Sequence, residues 1–171
     1  LDYAGYRDHS RVEHGLFNSK FRYEFDGDAD LMVIFSLVDS PTADDAGAIT
    51  GADIETDRRQ AQARNLASNA GEKLSQQRVG WVYRRGFGEH HEITVRNYYL
   101  WRDFGTFLPI GSHIPFVAND GVVEFDRFFF GGGAQYNYSG KLVGRDNQFS
   151  AGFDIDIQED DQIALQNLQT V

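Results

Sequence analysis

The stretch FSAGFDIDIQ, residues 149–158, decides the fold class. Its odd positions hold Phe, Ala, Phe, Ile and Ile, and its even positions hold Ser, Gly, Asp, Asp and Gln. A strict period of two separates these sets onto the two faces of a β-strand, whereas a helix would distribute the apolar residues around its circumference. Residues 17–25, FNSKFRYEF, repeat the alternation with aromatic and charged side chains. Both stretches predict strands with different environments on their two sides.

Four further segments, residues 31–38, 74–85, 92–102 and 122–138, have the β-branched and aromatic content of strands, which brings the predicted number to about six. The triple glycine at residues 131–133 predicts a bend or a close backbone approach inside the last of them. No stretch of 18 apolar residues predicts a transmembrane helix, and nothing divides residues 1–171 into separate domains.

The connections between these strands alternate in length. Residues 26–30, 86–91 and 139–147 predict short turns, residues 39–72 and 103–121 predict long loops, and the residues after 158 predict a polar tail. A short helix is expected within the first long loop, near residues 57–67. Strict alternation of short and long hairpins is typical of an outer-membrane barrel, with short periplasmic turns and long extracellular loops.

Aromatic residues cluster towards both ends of the predicted strands, as the two aromatic girdles of a membrane barrel would. The same rings could instead fill a soluble β-core, and that alternative stays open. The residues expected near the short turns are Tyr23, Phe25, Trp81, Tyr83, Tyr136 and Tyr138, and those near the opposite ends are Phe17, Tyr99 and Trp101.

The composition limits the possible partners. The chain carries a net charge of −10, which argues against nucleic acid because no basic face is available to neutralise phosphates. It has no cysteine, which excludes a disulfide framework, thiolate metal sites and a cysteine nucleophile. No cofactor motif is present, since residues 131–133 lack the Lys-Ser/Thr of a phosphate-binding loop.

Three long segments resemble the barrel of TonB-dependent outer-membrane receptors of the ferric-siderophore type. They are GYRDHSRVEHGLFNSKFRYEFDGDADL (residues 5–31), DSPTADDAGAIT (39–50) and FFFGGGAQYNYSGKLVGRDNQFSAGFDIDIQEDD (128–161). Within the first, the resemblance is carried by a set of alternating polar and aromatic residues followed by an acidic turn, namely Asn18, Lys20, Arg22, Tyr23, Phe25, Asp26, Asp28 and Leu31.

The resemblance implies an antiparallel transmembrane β-meander that forms part of a large outer-membrane barrel, with lipid around it and a plug inside that contacts TonB. The chain shows no signal peptide, TonB-contact segment, plug or terminal aromatic strand, so the expectation is an internal piece of a longer receptor. These residues alone are expected to form an open, curved antiparallel sheet with unpaired outer strands, because about eight strands are needed to close the smallest outer-membrane barrels.

Three clusters contain the residue types of a chemical site. The run 89–92, Glu-His-His-Glu, fits a solvated turn better than a metal site, because adjacent residues on a strand point to opposite faces. Asp26, Asp28 and Asp30 fit a turn, since the glycine and glutamate that a calcium loop requires are missing. Asp154 and Asp156 fit a polar wall better than a hydrolase pair. No catalytic or metal site is predicted.

The predicted ligand contacts lie on and beyond the strand that starts near residue 92. Arg96, Tyr98 and Arg102 share one face, which would be the lumen, and lead to two expected loop residues, Phe104 and Phe107. Arginines with aromatic rings suit an anionic, ring-bearing ferric chelate through charge-assisted hydrogen bonds and stacking. The alternative is a purely structural pairing of these arginines with carboxylates.

The leading hypothesis is therefore a non-enzymatic receptor fragment for ferric siderophores or a similar scarce nutrient, located in a Gram-negative outer membrane. A soluble lipocalin-like binding module and a secreted all-β hydrolase are the two alternatives.

Overall fold

A computed structural model describes residues 1–109 and 121–166 of the chain. They form one antiparallel sheet in which every strand pairs with the next along the sequence. The elements are β1 (Asp2–Tyr3), β2 (Val12–Phe25), β3 (Ala29–Asp44), α1 (Gly51–Thr56), α2 (Ala63–Ala67), β4 (Gly71–Phe87), β5 (His91–Leu108), β6 (Gly121–Leu142) and β7 (Arg145–Gln166).

The all-β, antiparallel fold class and the six predicted strands are confirmed, and the two-residue strand β1 adds a seventh. The sheet is open, as expected, because among the described residues its outer strands β1 and β7 do not pair with each other. Neither helix in the described part of the chain is long and apolar enough to cross a membrane.

The strand ends differ from the prediction. Residues 39–44 and 103–108 were expected in loops and 159–166 in a polar tail, but all belong to strands. Pro41 lies where the β3–β4 register shifts between Ser40 and Ala43, a position that tolerates a residue without an amide hydrogen. The expected helix near 57–67 is replaced by two shorter ones, of which only α2 overlaps it. Residues 110–120 of the second predicted loop lie outside the described part.

The three short connections are tight turns at one end of the sheet. Asp26–Asp28 joins β2 to β3, residues 88–90 join β4 to β5, and Val143–Gly144 joins β6 to β7. Val143 and Gly144 both have positive φ, 52° and 74°, which is the type I′ geometry that matches the twist of a two-residue hairpin. These turns confirm the short connections that the sequence predicted, and they place both long connections at the opposite end.

The sheet is a single layer without a hydrophobic core of its own. The only buried hydrophobic side chains in the described part are four alanines, and three of them, Ala46, Ala61 and Ala70, lie in the connection between β3 and β4. Large apolar side chains of the sheet are instead exposed, among them Phe21, Tyr23, Phe149, Phe153, Ile155 and Ile157. A sheet of this kind needs a second layer or a lipid phase to cover these exposed apolar side chains.

The connection of residues 45–70 is compact rather than extended. The guanidinium of Arg7 donates hydrogen bonds to the carbonyl oxygens of Ala46, Gly47 and Gln60 at 2.6–3.1 Å. Asn65 is 2% exposed and donates to the carbonyl and carboxylate oxygens of Asp45. At the start of α1, Thr50 and Asp53 form a reciprocal capping box, and hydrogen bonds from Thr50 lower the pKa of Asp53. Residues 45–70, together with the Arg7 side chain at their centre, are called the loop cap below.

Candidate functional site

The strand register aligns side chains in rows across the sheet, and one face of these rows is apolar. Its central row combines residues from all six long strands: Phe21, Val33, Trp81, Asn97, Gly132 and Ile155. The next row towards the long connections holds Ser19, Phe35, Val79, Tyr99, Phe130 and Ile157, and the next towards the turns holds Tyr23, Leu31, Tyr83, Val95, Ala134 and Phe153. This side of the sheet is called the apolar face.

The apolar face has two sharp ends. The row nearest the turns contains Phe87, His91, Tyr138 and Phe149, and the last row towards the long connections contains Phe17, Leu37, Gln77, Trp101, Phe128 and Glu159. Beyond Trp101 the character changes abruptly, because the following row holds Asp39, Ser75, Asp103, Asp126 and Asp161. Carboxylates side by side repel each other, so this row needs water around it.

Aromatic residues occupy both ends, largely as the sequence indicated. Tyr23, Phe25, Tyr83 and Tyr136 lie in rows close to the turns, and Phe17 and Trp101 lie in the last row before the acidic one. Trp81 differs from the expectation, since it lies in the central row rather than near the turns.

The opposite face, called the polar face, carries bonds between the side chains of neighbouring and next-neighbouring strands. Arg96 Nη2 lies 2.6 Å from Asp154 Oδ1, and the Tyr98 hydroxyl donates to Asp156 Oδ1 at 2.5 Å. Arg127 donates two parallel hydrogen bonds of 2.7 Å to the Asp160 carboxylate, and Arg102 donates from Nε to Gln76 Oε1 at 2.7 Å. Charge-assisted hydrogen bonds of this kind hold these surface side chains in a defined arrangement.

Two of these bonds pass over the intervening strand β6, and glycines make this possible. Arg96 and Tyr98 belong to β5 and their carboxylate partners belong to β7, whereas the directly paired residues on β6 are Gly133 and Gly131. A Cβ atom at Gly131 would collide with the Tyr98 ring and the Asp156 carboxylate, and one at Gly133 would collide with Asp154. The sequence predicted a bend or a close backbone approach at the triple glycine, and the structure shows side chains of β5 and β7 passing closely over the glycine backbone.

We expect Gly133→Val to break the Arg96–Asp154 pair and to lower the free energy of unfolding by about 1–3 kcal/mol, the usual cost of overpacking. The new side chain must displace the Asp154 carboxylate and would also meet the Phe153 carbonyl oxygen, 2.5 Å from its Cβ. Denaturant midpoints measure the effect. Gly15→Val is the matched control, because the nearest atom to a Cβ there is the Asp39 carbonyl oxygen at 3.6 Å. Equal midpoints for the two variants would contradict the crossing arrangement.

The five predicted ligand residues do not form one group. Arg96, Tyr98 and Arg102 lie on the polar face, and Arg96 and Tyr98 line the same concavity of about 430 Å³. Phe104 and Phe107 were expected in a loop, which is wrong because β5 continues to Leu108. They point to opposite sides of this strand: Phe104 packs on Phe125 with ring centroids 5.2 Å apart, whereas the Lys73 ammonium lies 5.9 Å from the Phe107 centroid.

Sequence reasoning missed most of the concavity. Its lining includes the cation Arg78 and a group of apolar side chains on the polar face, Met32, Ile34, Val82, Leu100 and Phe129. These residues come from four strands, β3 to β6, so no single stretch of sequence shows them together. The one available signal was local: Ile34, Val82 and Leu100 interrupt the polar side of alternating segments.

The other clusters occupy ordinary structural positions. Residues 88–90 form the turn, while His91 begins β5 and its Nδ1 lies 2.7 Å from the Tyr136 hydroxyl. Asp154 and Asp156 are engaged with Arg96 and Tyr98. Within residues 1–109 and 121–166, no group of three or more His, Asp or Glu side chains has the arrangement to hold a metal ion. No protein-family model matches the chain.

Proposed function

We propose that this chain is part of a large outer-membrane β-barrel of the TonB-dependent receptor type, which imports ferric siderophores or a similar scarce nutrient. The observation that carries the proposal is the single-layer sheet with one predominantly apolar face, interrupted by Arg85 in the second row from the turns, and one ion-paired polar face. Such a sheet suits a boundary between two solvents, with hydrocarbon on the apolar side and water on the other.

The height of the apolar face supports this assignment. The face has six rows, including the two end rows, and successive rows are two residues apart, so its five spacings extend about 34 Å along the strands. At the strand tilt of about 40° that outer-membrane barrels have, this length corresponds to a band about 26 Å tall, close to the ~25 Å they require. The acidic row with Asp103 and Asp126 would then lie just outside the lipid, on the side of the long connections.

The polar face supports the transport half of the proposal. In the barrel it would line the lumen, where an anionic chelate would compete with Asp154 for Arg96 and with Asp156 for Tyr98, whereas Arg102 is bonded to the neutral Gln76. The loop cap stands at the end of the sheet that would face the cell exterior, where a first contact with the ligand takes place. In the resembling family, TonB acts through the plug, so this chain would contribute the wall and the outer loop.

A soluble lipocalin-like module remains the second candidate, because the aromatic rings of the apolar face could also fill a protein core. It requires the sheet to close over that face, or another layer to cover it. The hydrolase alternative would need Asp154 and Asp156 free to act, yet both are bonded to neighbouring side chains.

The two tryptophans of the chain allow a direct test of the lipid contact. Trp81 lies in the central row of the apolar face, and Trp101 lies two rows further out, which corresponds to a depth difference of roughly 10 Å. In this 171-residue chain, Trp101→Phe and Trp81→Phe each leave one tryptophan, and both variants of the chain are reconstituted with lipids brominated at different chain depths. We expect deep bromines to quench Trp81 most strongly and shallow bromines to quench Trp101.

Absence of quenching at both tryptophans would contradict the membrane assignment and favour the soluble alternative.

The proposed transport of ferric siderophores is tested separately, in cells that depend on scarce iron. Deleting the gene that encodes this chain should lower the uptake of radioactive iron from a ferric siderophore, and unchanged uptake for all siderophore classes would contradict that half.

A further inference from the structure

The concavity on the polar face has an unusual composition for a water-lined wall. Its floor is apolar, formed by Met32, Ile34, Val82 and Leu100, and its far side carries the rings of Tyr98 and Phe129, whose centroids are 5.6 Å apart. Gly80 lies opposite Tyr98 in the register and leaves the floor open. The volume of about 430 Å³ falls within the range of small-molecule sites.

Arg78 supplies an unsatisfied positive charge at this concavity. Its side chain is exposed, and within the described residues it has no hydrogen bond or ion pair. Its direct neighbours on the same face are Ser36 and Leu100, and its diagonal neighbours are Ile34, Val38, Tyr98 and Arg102, none of which is acidic. The nearby carboxylates are engaged elsewhere, Asp154 with Arg96 and Asp156 with Tyr98.

We propose that this concavity binds a ring-bearing monoanion, such as an aromatic carboxylate, with its ring against Tyr98 and Phe129 and its negative group on Arg78. Strands β4 and β6 are two spacings apart, about 10 Å, which a bicyclic ring with one carboxylate spans together with the arginine side chain. The apolar floor favours the ring over a fully hydrated anion, and the free guanidinium favours the anion over a neutral ring.

This inference extends the proposed function. It rests on that function in one respect, because it requires that the polar face contacts water rather than lipid. A volume of this size accommodates a single ring system, so the site would hold one moiety of a larger chelate or a small organic anion by itself. The recognition chemistry is the same in both cases.

The test uses the full chain in lipid nanodiscs, after the tryptophan quenching has established its insertion. Binding of 2-naphthoate is measured by equilibrium dialysis, with empty nanodiscs as the blank and 2-naphthalenemethanol as the neutral probe of the same shape. We expect saturable binding of one naphthoate per chain, at least tenfold tighter than the neutral probe. Arg78→Gln should weaken naphthoate binding about tenfold, the loss expected for one charge-assisted bond.

Arg84→Gln is the matched control, since Arg84 is another exposed arginine of β4 on the polar face but does not line the concavity. It should leave the affinity unchanged. The proposal is overturned if the neutral probe binds as tightly as naphthoate, if both arginine variants behave alike, or if binding never exceeds that of empty nanodiscs. Because insertion is read from the tryptophans, these outcomes are distinct from a failure of the membrane assignment.

Discussion

Ile155→Arg is expected to lower the stability of the protein in a lipid bilayer by about 2–4 kcal/mol, the cost of a cationic side chain at mid-depth on the lipid side of a barrel. Ile155 lies in the central row of the apolar face and is 56% exposed. The nearest carboxylate on the apolar face is that of Glu159, two rows away at the edge of this face, so a guanidinium at mid-depth would have neither water nor an adjacent acidic partner. Denaturant titration in lipid vesicles measures the loss.

Ile34→Arg is the matched control for this substitution. Ile34 has the same side chain and is 37% exposed, but it lies on the polar face, directly after Val33 of the central row. Its register partners are Lys20 and Gly80, so the new arginine would remain hydrated at a small repulsive cost. A similar loss of stability for both variants would mean that both faces meet the same environment. It would contradict the proposal that the apolar face contacts lipid and the polar face contacts water.

The sequence predicted the strands best where the two faces of the sheet differ most. Residues 149–158 alternate because the apolar face spans this whole stretch and ends just beyond it, at the row of Glu159. Directly beyond that row, Asp160, Asp161 and Gln162 put polar residues on both sides of β7 and interrupt the period of two. The sequence therefore predicts a tail for residues 159–166, although the backbone pairing with β6 continues. Hydrophobic alternation reports the solvents on each side of a strand, whereas the length of a strand depends on its hydrogen bonds.

The sequence likewise predicted only part of the candidate site. The alternation along β5 was sufficient to place Arg96, Tyr98 and Arg102 together, because residues two positions apart share a face. It gave no information about Arg78, whose importance depends on which side chains of β3 and β5 lie beside it. It also could not show that Asp154 and Asp156 reach across the glycines of β6, since this contact requires the register of three strands.

The loop cap lay beyond sequence reasoning for a different reason. Residues 45–70 are rich in small and polar residues, a composition that predicts a surface loop. Their order comes from a residue about forty to fifty positions away, because the Arg7 guanidinium reaches the carbonyl oxygens of Ala46, Gly47 and Gln60. Backbone hydrogen bonds then close the cap, from Asp8 to Arg59 at 2.7 Å and from Gln62 to Ala46 at 2.8 Å.

Arg7→Ala is expected to disorder the loop cap while the sheet stays folded. The substitution removes four hydrogen bonds from a charged donor and leaves three carbonyl oxygens without that partner, which we estimate to cost the cap about 3–5 kcal/mol locally. Hydrogen exchange of the Asp8 and Gln62 amides should accelerate at least a hundredfold. Arg7→Lys should restore little, because one ammonium group cannot reproduce the forked geometry that reaches Gly47 and Gln60 together.

Arg11→Gln is the control that separates this effect from a general loss of charge near the amino terminus. Arg11 forms ion pairs with Asp2 and Glu13, but Arg11 and Asp2 are exposed and Glu13 is only partly buried, and such surface pairs contribute little to stability. We therefore expect its exchange pattern to match that of the unaltered protein. If Arg7→Ala also leaves the Asp8 and Gln62 amides protected, the cap is held by its backbone bonds and by Asn65 instead. If exchange accelerates equally in β4 and β5, Arg7 stabilises the whole sheet and the cap is not an independent unit.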